Sequence, residues 1–276
     1  MKPMEIGVFS ASLHPENPDD LFDRLKQVDL KVMQLALIDP AWREPAAVDR
    51  IAERLQSGSF EVAATFFGFE GEDYSSIPNI RETGGFVFDY QERLDVMKEI
   101  IAITERLGVK AIGGHAGFIP EERTHPLYTT MIERLRFVSN LMAEKDLTLL
   151  LETGQETPEG LLQVLGDLGQ ENIKINFDPA NLLLYGVGQP VEAVKKLMPH
   201  VASVHAKDAT ASPGQDVWGE EKLLGEGAVD YPCFLRTLKE LNFQGPLIIE
   251  CEMGGDPLES VRHGRDRLRE IMGSLP

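Results

Sequence analysis

The chain has 276 residues, 42 % of them hydrophobic and 26 % charged, the balance of an ordinary globular protein. Its 45 Asp and Glu outnumber 27 Lys and Arg, for a formal net charge of −18. That charge argues against nucleic acid and anionic membrane surfaces, which need cationic neutralisation. Two cysteines, Cys233 and Cys251, indicate no disulfide framework, and no apolar run approaches the roughly 18 residues of a membrane span. The opening "MKPMEIGVFSASLHPENP" lacks the apolar core and cleavage pattern of a signal peptide, so the expected location is cytoplasmic.

Eight short apolar runs follow one another: "EIGVFS" (5–10), "KVMQLALI" (31–38), "FEVAATFFGF" (60–69), "KAIGGHAG" (110–117), "TLLLET" (148–153), "IKINFDP" (173–179), "VASVHAKDA" (201–209) and "GPLIIECE" (245–252). They barely alternate, as strands buried on both faces do in a parallel sheet covered by helices. Amphipathic helices separate them. Met131, Leu135, Val138 and Met142 share one helix face, as do Leu161, Val164, Leu165 and Leu168, and then Phe234, Leu238 and Leu241. Thr157 before Pro158 and Asp256 before Pro257 read as helix caps. Strands alternating with helices over residues 1–276 predict one (β/α)₈ TIM barrel as a single domain. The rival, a doubly wound open sheet, would carry a glycine fingerprint after its first strand, and "GVFSASLHP" contains none.

In a barrel, chemistry gathers at the C-terminal strand ends. The fifth run ends on Glu152, the sixth on Asp178, the seventh holds His205, and the eighth ends on Glu250. Any one of these could be a turn-former, a cap or a packed core group; "DP" at Asp178 is a common turn start. Four neighbouring strands ending this way point instead to one shared site. Three close carboxylates need protons or a cation to coexist. One imidazole and three carboxylates suit a single divalent ion, Mn²⁺, Mg²⁺, Co²⁺ or Zn²⁺. Glu250 and Glu252 have the same strand parity, so either could be the fourth ligand; Glu250 is preferred because it directly ends the apolar run. Candidate substrate contacts are His115 after two glycines, Lys207, Asn181, Trp218 in "DVWGEE" and Glu226 in "LLGEGAVDY". For each the bland alternative is packing, capping or a solvated loop.

Taken together, "LLLET", "NFDPANLLLYG", "SVHAKDA", "GEGAVDY" and "LIIECE" resemble the xylose isomerase-like TIM-barrel family of sugar phosphate isomerases and epimerases across residues 148–254. The resemblance implies one divalent ion held by Glu152, Asp178, His205 and Glu250, with Glu152 and Glu250 acting as catalytic base and acid through a cis-enediolate of a keto sugar or polyol. It also leaves open lyase-type relatives acting on keto-glycosides or inositol derivatives. A catalytically silent sugar-binding barrel is the non-enzymatic alternative. The endonuclease branch needs more His ligands than six histidines and this acidity suggest. The implied partner is a small carbohydrate, phosphorylated or not, and a homo-oligomer stays open. Loops 66–79 and 117–126 are expected to set specificity.

Overall fold

The computed structural model describes residues 4–275; residues 1–3 and 276, included in the expected 1–276 domain, lie outside the described residues. Eight parallel strands close a barrel in the order β1, β10, β7, β6, β5, β4, β3, β2. These are β1 (Ile6–Phe9), β2 (Val32–Ala36), β3 (Glu61–Phe66), β4 (Ala111–Gly114), β5 (Thr148–Glu152), β6 (Ile173–Phe177), β7 (Val201–Ala206) and β10 (Leu247–Ile249). A two-residue antiparallel pair, β8 (Asp208–Ala209) with β9 (Glu221–Lys222), stands above the mouth after β7. The expected TIM barrel is therefore the observed fold, and each barrel strand falls inside its predicted run. All eight are shorter than the run. The run 201–209 splits into β7 and β8, and 245–252 shrinks to three paired residues.

Ten α-helices occur among the described residues: α1 (Pro18–Gln27), α2 (Pro45–Leu55), α3 (Ile77–Thr83), α4 (Tyr90–Arg106), α5 (Pro126–Ala143), α6 (Pro158–Leu168), α7 (Pro179–Leu184), α8 (Pro190–Leu197), α9 (Tyr231–Glu240) and α10 (Pro257–Ser274). The extra two over a simple alternation are α3 and α7, short helices in the loops after β3 and β6. Proline opens most of these helices. At the first helical position its missing N–H is an orphan in any case, and its φ is already helical. Just ahead of the proline, Asn17, Thr157 and Asp256 accept hydrogen bonds from first-turn amides. No helix of the described residues is long and apolar enough to cross a membrane.

The main core lies between sheet and helices, where Leu149, Ile175, Phe177 and Leu247 meet Leu135, Val164, Phe234 and Leu268, all buried. Inside the barrel a smaller cluster of Phe9, Val32, Ala36, Phe66 and Ile248 leaves room for polar side chains. Gly113 makes that interior possible: a Cβ there would come within 2.7 Å of the Phe66 ring. Phe177 points outward and stacks on Phe234 with ring centroids 5.8 Å apart. Phe177→Ala should destabilise the fold by about 3–5 kcal/mol, the usual cost of deleting a buried phenyl ring, read as a lower urea midpoint at unchanged m-value.

Candidate metal centre

Strand ends deliver the four predicted ligands to one point. Glu152 closes β5, Asp178 follows β6, His205 lies near the end of β7, and Glu250 follows β10. All four are buried, and one ligand-type atom from each lies within 4.8 Å of the others. His205 Nδ1 stands 2.6 Å from Glu152 Oε1, 3.0 Å from Glu250 Oε2 and 3.8 Å from Asp178 Oδ2. Despite this crowding, His205 Nδ1, Asp178 Oδ2 and Glu250 Oε2 have no partner in hydrogen-bonding geometry. They lie close enough together to share one ion. Buried acceptors left this way are costly, and a divalent cation satisfies all of them at once. One nitrogen with three carboxylate oxygens fits such an ion.

Asp178 divides its work between its two oxygens. Oδ1 caps α7, accepting from the Ala180 amide at 2.7 Å and the Asn181 amide at 3.0 Å. Oδ2 is left for the cluster. The backbone of Asp178 is locked to β5 through Thr153, whose Oγ1 accepts from the Asp178 amide at 2.7 Å and donates to its carbonyl at 2.9 Å. One carboxylate thus caps the turn through Oδ1 and still leaves Oδ2 facing the cluster.

Behind His205, its Nε2 lies 2.6 Å from Gln34 Oε1, and Phe9 and Phe66 wall the ring at centroid distances of 5.7 and 5.5 Å. In front, Glu152 Oε2 meets His115 Nε2 at 3.0 Å. Lys207, 5 % exposed, places Nζ 2.6 Å from Glu252, 3.4 Å from Glu250 and 4.0 Å from Glu221. Burial alone pushes Asp178 upward, partly offset by Lys207 and reinforced by the neighbouring glutamates, so its carboxyl sits well above the ordinary range. Burial works against charge on Lys207 too, but Glu250, Glu252 and Asp178 outweigh it and hold the ammonium firmly protonated.

The centre opens into a cavity of about 560 Å³. A family model described as xylose isomerase-like TIM barrel matches residues 22–271. The chain belongs to the xylose isomerase-like TIM-barrel family. A solved xylose isomerase domain protein from Planctomyces limnophilus is 33 % identical, superposes with a TM-score of 0.89, and is matched over 98 % of this chain and 97 % of its own. An inosose dehydratase of Clostridium botulinum (strain Alaska E43 / Type E3) is 22 % identical over 253 residues, 82 % of each chain. A solved L-ribulose 3-epimerase shares 15 % identity and a TM-score of 0.74 over 99 % of this chain and 95 % of that one.

Within this member of the family, four of the five predicted substrate contacts line the cavity: His115, Asn181, Lys207 and Trp218. Asn181 also donates its Nδ2 to the Thr153 carbonyl at 3.1 Å, so part of its amide is structural. Trp218 packs on Tyr185 with centroids 4.7 Å apart. Glu226 differs from expectation. It is exposed and outside the cavity lining, because the flanking Gly225 and Gly227 amides fold around the Asp208 carboxylate at 2.9 and 3.1 Å. Those amides are therefore not free to cradle a substrate phosphate. Glu252, the other reading of the eighth strand end, is turned to Lys207 and lies outside the four-residue cluster. Both glutamates line the same cavity and reach Lys207, as their shared parity predicts, and distance from the other three residues separates them. Sequence reading also passed over Gln34, Thr153, Asn176 and Ser203, all buried polar residues around the centre. Gln34 carried a signal: it is the one polar side chain within the run "VMQLALI".

The split role of Asp178 can be separated in metal-free protein. Asp178→Ala loses the cap and should cost about 0.5–2 kcal/mol. Asp178→Asn keeps a capping oxygen while removing a carboxyl whose ionised form burial and the neighbouring glutamates disfavour, so its urea midpoint should equal or exceed that of the wild type.

Proposed function

We propose that the protein is a divalent-metal-dependent isomerase or epimerase of a keto sugar or keto polyol. The observation that carries this reading is the pair of buried glutamates at the centre, each with its own nitrogen-bearing neighbour: His115 beside Glu152 and Lys207 beside Glu250. Glu152, Asp178, His205 and Glu250 would hold the ion, whose charge acidifies the C–H beside a carbonyl and steadies the enolised substrate.

Glu152 turns Oε1 toward His205 and Oε2 toward His115, so the second oxygen is the one presented for proton abstraction. Glu250 returns a proton. Delivery to the opposite face of the same carbon gives the epimer, and delivery to the adjacent carbon gives the isomer. Lys207 places positive charge beside this reaction zone. Phe9, Phe66 and Trp218 supply apolar wall that displaces water and strengthens those charge interactions.

The likeness to inosose dehydratase over 82 % of each chain favours a second reading. There, the same proton abstraction is followed by loss of a neighbouring hydroxyl as water, with His115 or Lys207 protonating the departing oxygen.

A panel of ketoses and keto-polyols incubated in deuterium oxide tests both. Epimerisation or isomerisation yields substrate-mass products carrying deuterium at the exchanged carbon, whereas dehydration yields an enone that absorbs in the ultraviolet. Glu152→Gln should lower exchange at least about 10²-fold, the lower end of what a positioned acid–base group contributes. A chelator should abolish the reaction, and one of Mn²⁺, Mg²⁺, Co²⁺ or Zn²⁺ should restore it. No exchange with any member of the panel would overturn both readings in favour of a binding barrel.

A further inference from the structure

The barrel interior beneath the centre holds a chain of polar side chains that no strand-end logic requires. Gln34 on β2, Asn176 on β6 and Ser203 on β7 are each at most 3 % exposed. Gln34 Nε2 donates to Asn176 Oδ1 at 3.1 Å and lies 3.0 Å from Ser203 Oγ. Asn176 Nδ2 donates to Glu152 Oε1 at 3.5 Å. Gln34 Oε1 faces His205 Nε2 at 2.6 Å.

The directions of these bonds are not free. An ionised Glu152 can only accept, so Asn176 must turn its NH₂ toward it and its Oδ1 inward. Asn176 Oδ1 then calls for the NH₂ of Gln34, which leaves Gln34 Oε1 facing the imidazole. An oxygen there requires a proton on Nε2, and the Nδ1 lone pair is left for the centre. We infer that Gln34 is a positioning residue that fixes His205 with Nε2 protonated and Nδ1 ligating, and that Asn176 transmits this orientation from Glu152.

Backbone irregularities sit where this network needs them. The β2–β3 register shifts between Met33 and Gln34, and the β6–β7 register shifts between Ile175 and Asn176. Such bulges re-aim side chains. Asn176 also pairs in register with Glu152 on one side and Ser203 on the other, so backbone and side-chain connections coincide. Partners that orient a metal-ligating histidine are typically worth about 10–100-fold in metal affinity.

The inference rests on the metal reading above. Zinc affinity of the full chain, measured by competition with a chromophoric chelator, tests it together with the nitrogen-15 shifts of His205. Gln34→Leu should weaken zinc binding about 10–100-fold. Gln34→Glu, which loses both Gln34 donors but keeps an oxygen toward Nε2, should recover most of that loss. A merely structural Gln34 would make the two variants fall together, and that result, or an unchanged Gln34→Leu, overturns the inference. If the wild type binds no divalent ion, the metal reading fails instead. The network is then read in the metal-free protein from the Nε2 proton of His205: an exchange-protected signal that Gln34→Leu removes supports it, and one unchanged in Gln34→Leu overturns it.

Discussion

Everything at the mouth of this barrel follows from three carboxylates brought together out of water. Two like charges about 4 Å apart repel by roughly 4 kcal/mol even at an effective dielectric near 20, and burial adds a desolvation cost for each. Glu152, Asp178 and Glu250 accept this cost within a few ångströms of one another. Positive charge is the only remedy that leaves all three ionised. Lys207 supplies part of it from inside the protein, and its stem lies in the same buried wall. The unpartnered atoms around His205 mark where the remainder belongs.

An arrangement with so much built-in repulsion must be held by groups that do not themselves move. Asp178 is fixed through its backbone by Thr153 and through Oδ1 by the first turn of α7. Lys207 is fixed by its carbonyl, which accepts from the Tyr231 hydroxyl at 2.8 Å, and the next residue, Asp208, gathers the amides of Gly225, Gly227 and Val229. The sequence "HAKD" thus reads as three tasks in four residues: an imidazole for the centre, a counter-charge beside it, and a carboxylate that organises the covering loop. The last of these is what removes Glu226 from the cavity.

How much of this was legible in the sequence differs by level. The barrel was readable because buried parallel strands are short apolar runs separated by amphipathic helices, and both patterns are local. The four-residue cluster was readable because a carboxylate or imidazole ending an apolar strand is chemically conspicuous, and four neighbours in succession reinforce one another. Gln34 was not placed, because its partners lie on β6 and β7, more than a hundred positions away, and only closure of the barrel brings them together. Glu226 was misplaced for a related reason. A glycine-flanked glutamate signals a turn, but which carboxylate the turn's amides will surround is a tertiary fact. Parity alone could not separate Glu250 from Glu252, because both face the cavity and only the three-dimensional distances show which one joins Glu152, Asp178 and His205.

Polar groups inside a barrel are a poor way to gain stability, since an apolar filling of the same volume is often as good or better. Gln34, Asn176 and Ser203 therefore need a reason to occupy space of the kind that Val32 and Ile248 fill in the neighbouring interior cluster. Geometry supplies one. A neutral imidazole offers a lone pair on only one ring nitrogen, chosen by its tautomer, whereas an ionised carboxylate accepts through either oxygen. Of the four residues at the centre, His205 is the one whose lone pair must be directed by something else. A network that begins on an acceptor-only group and passes through two amides carries that direction across the barrel without adding a charge to a site already crowded with them.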